Sequence, residues 1–101
     1  MFIYNVTFNL EKDLLKDWNS WVRQRYIPYA MESKCFTKSQ LMKIHTDHDQ
    51  ETLTFCCQLS SDTPEGIHVF CSHKEELIIS EMFNKFGEKC LIFPTVLEFL
   101  D

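Results

Sequence analysis

The chain has 101 residues, of which 45% are hydrophobic and 25% are charged, and its formal net charge is −5. This size and composition are typical of one globular unit, so we expect a single domain over residues 1–101. The acidic balance argues against nucleic acid or an anionic membrane as a partner, since both require a basic surface.

The first predicted element is a strand over residues 2–10, where apolar and polar side chains alternate. This segment lacks the basic region and long apolar run of a secretion signal, so we expect a cytoplasmic protein. Residues 11–32 carry apolar side chains at helical spacing and predict a helix, with Asn9 as its N-cap. Pro28 is expected to kink that helix or end its regular part, because proline has no backbone N–H to donate.

Two further strands are predicted over residues 39–46 and 51–59. The run HTDHDQ, residues 45–50, covers the end of the first of these strands and the four-residue connection, and it has side chains of the types that bind metals. Metal ligands must converge on one point, however, and Asp and His are also common in short polar turns. The run is therefore interpreted as a turn, and no metal site is expected.

A second helix is predicted to begin at Thr63 and Pro64 and to end at Gly87 in a left-handed C-terminal cap. Residues 89–99 predict the last strand, which is apolar on both sides, and Pro94 indicates that this strand lies at an edge or contains a bulge. The apolar stripe of the second helix is predicted to consist of Ile67, Phe70, Cys71, Leu77, Ile78, Met82 and Phe86.

The order of elements is therefore βαββαβ, which predicts an α+β fold of the ferredoxin-like type. Right-handed crossovers place both helices on one face of a four-stranded antiparallel sheet. The opposite face of the sheet is then open unless something else covers it.

Four segments of the sequence, YNVTFNL, DWNSWVRQRYIPYAM, CF and FGEKCLIFPTVLEFL, resemble a small bacterial family catalogued as domain of unknown function 4286. The resemblance covers nearly the whole chain. It implies a ferredoxin-like fold of the dimeric α+β barrel type, and it implies no activity because the family has none assigned. The chain departs from the family at Tyr26, Lys34 and Pro94, where His, Gly and Arg respectively are common.

The open face of the predicted sheet provides the candidate ligand contacts. These are the side chains that alternate away from the helices on the central strands, together with one from the 39–46 strand if its Met42 and Ile44 face the helices. The candidates are Asn5, Thr7, His45, Thr54 and Cys56.

The last strand suggests a homodimer, because a helix layer can cover only one of its two apolar sides. The uncovered side would be closed by a second copy. The predicted interface residues on that side are Ile92, Val96 and Leu100.

Two functions remain open at this point. In the first, the homodimer holds a small organic ligand between its sheets. In the second, the protein is a non-catalytic interaction or regulatory module, which an exposed patch of Trp21, Tyr26 and Tyr29 would favour.

No acid–base pair or activated nucleophile is evident, and His68, Cys71 and His73 have no partner by spacing, so no enzymatic activity is assigned and no cofactor is expected. The five cysteines have irregular spacing and contain no CxxC motif, so they are expected to be reduced and structural.

Overall fold

The computed structural model describes residues 1–101 and contains one antiparallel sheet with the strand order β2-β3-β1-β4. The helices lie on one side of this sheet, which confirms the predicted ferredoxin-like βαββαβ fold. β4 is an edge strand, as Pro94 predicted, because an edge position leaves one side of the strand without a pairing partner. The strands are β1 (Phe2–Glu11), β2 (Lys38–Ile44), β3 (Thr52–Ser61) and β4 (Cys90–Glu98).

The first helical stretch is continuous but changes its type along its length. A 3₁₀ turn over Lys12–Leu14 leads into α1 (Leu15–Trp21), a π-helical turn follows over Val22–Tyr26, and α2 covers Ile27–Glu32. The π turn ends at Tyr26, two residues before Pro28. There the N–H of Ile27 bonds to the carbonyl of Val22, five residues back. Pro28 therefore disturbs the regular α-helix, as predicted, through a shift in the hydrogen-bond register.

The prediction that Asn9 caps this helix is wrong. β1 extends to Glu11, and Asn9 pairs within the sheet with Thr54 on one side and Leu91 on the other. The alternating pattern of β1 thus continues past Asn9, the polar residue that the sequence suggests as the start of the helix.

The second helix begins at Pro64, after Thr63, as predicted, but it breaks at Lys74 into α3 (Pro64–His73) and α4 (Glu75–Phe86). The carbonyl of Lys74 accepts a hydrogen bond from the hydroxyl of Tyr29 at 2.6 Å, so α2 satisfies a backbone group freed at the break.

Most of the predicted stripe of the second helix is buried. Two members, Cys71 and Leu77, are instead exposed on either side of the break at Lys74, because a single helical phase does not run through it. The buried members are Ile67, Phe70, Ile78, Met82 and Phe86.

Two residues adopt positive φ values at the ends of helical stretches. Gly87 follows α4 with φ = 62°, which confirms the positive φ expected of a glycine cap, although its ψ of −145° differs from a left-handed helical cap. Lys34 follows α2 with φ = 66°, at the position where the resembled family commonly has Gly. A side chain there costs free energy that glycine would avoid.

The core fills the space between the helices and one face of the sheet. Phe8 lies at its centre, fully buried, with ring centroids 5.3 Å from Trp18 and 5.5 Å from Tyr26. Phe70 packs on Phe36 at 5.1 Å. All large buried aromatic side chains thus lie on the helix side of the sheet. No helix in the structure is both long enough and apolar enough to cross a membrane.

Candidate functional site

The face of the sheet that points away from the helices, here called the open face, is the candidate functional site. Strand register aligns its side chains in four rows that cross β2, β3, β1 and β4 in that order. The rows are Lys38–Ser60–Ile3–Leu97, Gln40–Gln58–Asn5–Thr95, Met42–Cys56–Thr7–Phe93 and Ile44–Thr54–Asn9–Leu91.

The two central strands carry uncharged side chains on this face, most of them small, and the asparagines bond to the threonines. The amide nitrogen of Asn9 donates to the hydroxyls of Thr52 and Thr54, both at 3.0 Å. The amide nitrogen of Asn5 donates to the hydroxyl of Thr7 at 3.2 Å. These bonds hold both amide groups against neighbouring threonines of the sheet.

The two edge strands carry the most exposed apolar side chains of this face, beside Thr95 on β4 and Lys38 and Gln40 on β2. On β4, Leu91, Phe93 and Leu97 are 48%, 54% and 42% exposed, and on β2 Met42 is 40% exposed. The open face is therefore mostly polar in its centre and mostly apolar along β4, whereas its β2 edge is apolar only at Met42 and Ile44.

Charged side chains on the open face occur only at the ends of strands. Lys38 stands at one end of β2 and Glu11 at the end of β1, and no charged side chain lies between them in the four rows. A protein with 25% charged residues thus keeps an uncharged patch across four strands. Such a patch is typical of a surface that becomes buried.

Cys56 lies opposite Thr7 near the centre of the open face and is itself buried. Burial raises the pKa of its thiol. No histidine or carboxylate stands beside it in its row, so nothing there can generate a thiolate. The geometry fits a small uncharged contact and not a nucleophile.

The structure brings four of the five candidate ligand contacts together on the open face, namely Asn5, Thr7, Thr54 and Cys56. His45 is not among them. It follows the end of β2, is exposed, and has Nδ1 3.8 Å from a carboxylate oxygen of Asp49.

The assumed orientation of β2 is wrong. Met42 and Ile44 lie on the open face, opposite Cys56 and Thr54, whereas Leu41 and Lys43 lie on the helix side. The β2 sequence does not alternate clearly, so only its register with β3 determines which side chains point outward.

The interface residues predicted on β4 also lie elsewhere. Ile92 and Val96 pair with Phe8 and Tyr4, so both face the helix side, and Ile92 packs against the core. Leu100 lies beyond the end of β4 and is exposed. The apolar residues that accompany Asn5 and Thr7 on the open face are Leu91, Phe93 and Leu97.

The HTDHDQ run forms a turn built around Asp49, as its composition predicted. The Asp49 carboxylate accepts hydrogen bonds from the hydroxyl of Thr46 at 3.1 Å and from the Lys43 ammonium at 3.0 Å. The Lys43 contact, more than any other, lowers the pKa of Asp49. No group of three or more His, Cys, Asp or Glu side chains converges anywhere in the structure as a metal site would require.

A second set of polar groups lies at the helix break, on the other side of the sheet. The hydroxyl of Tyr4 donates to the Glu75 carboxylate. Burial raises the pKa of Glu75, and the hydrogen bond from Tyr4 partly opposes that rise. Cys71 lies near this pair, and burial also raises the pKa of its thiol. The hydrogen bond between Tyr4 and Glu75 joins β1 to α4.

Two surface grooves flank the helix layer. An apolar groove of about 310 Å³ lies between α4 and β4 and includes Ile79, Phe83 and Ile92. A polar groove of about 240 Å³ lies beside α1 and includes Asp17, Arg25 and Lys85, as well as the edge of Trp21. Neither groove includes any of the predicted ligand contacts.

Comparison with known proteins identifies a family and a fold. The family described as "Domain of unknown function (DUF4286)" matches residues 1–100. No curated protein matches the chain.

Several solved structures share the fold at low sequence identity. A dimeric ferredoxin-like protein from an uncultured marine organism has a TM-score of 0.70 at 8% identity, and the match covers 99% of this chain and 95% of that chain. A second protein of the same description and source has a TM-score of 0.65 at 14% identity, with 100% and 96% coverage. An ethyl tert-butyl ether D (EthD) family protein from Bacillus halodurans C-125 has a TM-score of 0.67 at 8% identity, with 99% and 100% coverage.

Proposed function

This chain belongs to the DUF4286 family, and we propose that it functions as a homodimer that closes its two open faces on each other and holds a small organic ligand between them. The observation that carries the proposal is the profile of the open face, which is mostly polar in the centre and carries exposed apolar side chains at Leu91, Phe93 and Leu97 on one edge and at Met42 on the other. Two structural neighbours that share the fold are described as dimeric ferredoxin-like proteins, and this supports the assembly.

Exposed apolar area favours the dimer. Monomers rarely leave large apolar areas open to water, and one side of β4 presents Leu91, Phe93 and Leu97, interrupted only by Thr95. A standard interface buries about 800 Å² per partner, and apolar burial contributes roughly 25 cal/mol per Å² before association costs. Burial of the uncharged centre costs much less free energy than burial of a charged face would.

Symmetry explains why the dimer would contain a cavity. A two-fold axis that lies between two facing sheets, along or across the strands, brings edge strands against edge strands and central strands against central strands. Facing sheets pack about 10 Å apart. Side chains such as Phe93 and Met42 can bridge that gap, whereas Thr7, Thr54 and Cys56 are too short to fill it.

The alternative of a non-catalytic interaction module has less support. The aromatic patch that would favour it is not on the surface, since Trp21 and Tyr26 are buried and Tyr29 is half-buried against Lys74. A cytoplasmic location remains part of the proposal, and the five unpaired cysteines are consistent with a reducing compartment.

Native mass spectrometry of protein purified from its own host tests assembly and ligand together. We expect a dimer that carries an additional bound mass, and both should be lost in Leu97→Glu, which places a charge on the apolar edge. The matched control is Leu77→Glu on α4, where the leucine is 58% exposed but lies on the helix layer. This control should remain dimeric. A monomeric wild-type chain would contradict the assembly, and a dimer with no bound mass would contradict the ligand.

A further inference from the structure

We infer that β4 of each copy lies over β2 of the other in the homodimer, and that the partner's Met42 and Ile44 thereby complete the apolar groove between α4 and β4. This inference rests on the proposed function, which supplies the dimer, and it specifies which residues of a second copy each edge strand contacts. It follows from the order of the side chains along the two edge strands.

Two-fold symmetry allows two ways of packing one open face on its copy. An axis across the strands places β4 over the partner's β4 with the chain direction reversed, so that different rows of the open face meet. An axis along the strands places β4 over the partner's β2, because these strands form the opposite edges of the sheet. Each row then meets the same row of the partner, so the chemistry of the rows distinguishes the two arrangements.

The apolar side chains of the edge strands match when the axis runs along the strands. Phe93 and Met42 belong to one row, so each lies opposite the other in the partner, and they are 54% and 40% exposed in the single chain. Leu91 and Ile44 belong to the next row and form a second apolar pair. Each edge of the dimer thus closes apolar side chains on apolar side chains.

The polar row between them also meets groups to which it can bond. Gln40, Gln58, Asn5 and Thr95 form this row from one edge of the sheet to the other. Amide groups and hydroxyls each carry a donor and an acceptor, so the row can form hydrogen bonds with the same row of the partner. Its burial therefore requires no charged partner and no added ligand.

The sequence of β2 argues against an axis across the strands. On the open face this strand is polar in its first half, at Lys38 and Gln40, and apolar in its second half, at Met42 and Ile44. An axis across the middle of the strand reverses the chain direction and sets the polar half against the apolar half. With the axis along the strands, Lys38 instead lies opposite the partner's Leu97, where its aliphatic stem can pack while its ammonium group stays in water.

The same arrangement completes the groove between α4 and β4. Leu91 and Phe93 line that groove and also belong to the open face, so the groove reaches the edge at which the two copies meet. The partner's Met42 and Ile44 lie against these two side chains and form a wall that one chain lacks. The groove is therefore a site to which both copies contribute.

Mixing two charged variants tests which strands meet. Phe93→Glu and Met42→Lys should each weaken the dimer alone, whereas a mixture places the new carboxylate opposite the new ammonium group at one edge and keeps the wild-type pair at the other. We expect this mixture to associate at least about tenfold more tightly than a mixture of Phe93→Glu with Leu97→Lys, as measured by sedimentation equilibrium. The second mixture is the pairing that an axis across the strands, along the row of Asn5 and Thr95, requires.

The possible failures separate this inference from the proposed function. A wild-type dimer whose Phe93→Glu chain associates equally well or better with Leu97→Lys would overturn the axis along the strands and leave the homodimer standing. A monomeric wild-type chain would overturn the proposed function itself. Should Met42→Lys fail to fold, Leu91→Glu with Ile44→Lys tests the next row and should show the same gain over Leu91→Glu with Phe99→Lys. Equal association of those two mixtures would also overturn the inference.

Discussion

The two faces of the sheet differ in chemistry even though they share the same strands. On β3, the side chains of Phe55, Cys57 and Leu59 point to the helices, while those of Thr54, Cys56 and Gln58 point to the open face. The face packed against the helices, here called the covered face, holds large aliphatic and aromatic groups, and the aromatic rings contact one another. On the open face, asparagine and threonine side chains bond to one another. Alternation along a strand thus separates the residues that stabilise the fold from those that are available for assembly and binding.

The largest contrast between the faces should appear in stability. Phe8→Ala removes a fully buried ring that contacts Trp18 and Tyr26, and we expect the free energy of unfolding to fall by about 3–5 kcal/mol. Thr7→Ala, one residue away on the open face, should cost about 1 kcal/mol or less. Urea denaturation monitored by tryptophan fluorescence measures both. Equal losses of unfolding free energy in the two variants would contradict the view that the covered face contributes more to stability than the open face.

Loss of the hydroxyl group should have opposite effects on stability at Tyr4 and Tyr26, which are both buried. The Tyr4 hydroxyl donates to Glu75, so Tyr4→Phe should destabilise the fold by about 1–2 kcal/mol. The Tyr26 hydroxyl is buried without a hydrogen-bond partner, so Tyr26→Phe should be neutral or stabilise the fold by up to about 1 kcal/mol. Thermal unfolding of the two variants side by side is the measurement. A clear loss of stability in Tyr26→Phe would mean that its hydroxyl has a partner.

Strain at the end of the first helical stretch should be relieved by a glycine. Lys34 has φ = 66° and an exposed side chain, and Lys34→Gly should raise the free energy of unfolding by about 0.5–1 kcal/mol. Lys34→Ala serves as the control, because it removes the charge while keeping the Cβ, and it should not stabilise. If alanine stabilises as much as glycine, the charge and not the backbone is responsible.

The smallest effect should be a pH dependence that arises at Glu75, where α4 meets β1. Burial raises the pKa of Glu75 above its ordinary value of 4.5. A carboxyl with a raised pKa in the folded state favours folding below its unfolded pKa, and that contribution is lost as the pH rises through the folded pKa. Stability should therefore fall with rising pH more steeply in wild type than in Glu75→Gln. Denaturation curves from about pH 4 to about pH 7 compare the two slopes, and parallel curves would contradict the assignment.

The sequence predicts the fold well because long segments carry consistent periodicity. β1 alternates over ten residues and sets the two faces of the sheet without ambiguity. Pro64 and Gly87 then mark the beginning and the end of the second helical stretch.

The orientation of the edge strands could not be predicted in the same way. Apolar residues occupy both sides of β4, and β2 has no clear alternation, so the faces of both strands depend on pairing with β1 and β3. For this reason the sequence alone places Val96 and His45 on the open face, whereas Leu97 and Met42 lie there.

The pairing of the strands determines which side chains of β4 lie on the open face. Once β1 is aligned with β4, the residue opposite Asn5 must be Thr95, and Leu97 then follows on the same face opposite Ile3. The break at Lys74 has no comparable signal in the sequence, and the carbonyl freed there is bound by Tyr29 from a distant part of the chain. Local sequence patterns do not report on contacts of this kind.

Sedimentation equilibrium of the wild-type chain at micromolar concentration tests most directly whether the open face is an interface. The chain mass is 12.1 kDa, and we predict that the protein sediments at twice that mass, while Leu97→Glu sediments as a single chain. Val96→Glu, on the opposite side of β4, should retain the dimer. A wild-type protein that sediments at the mass of one chain would contradict both the interface and the cavity that it encloses.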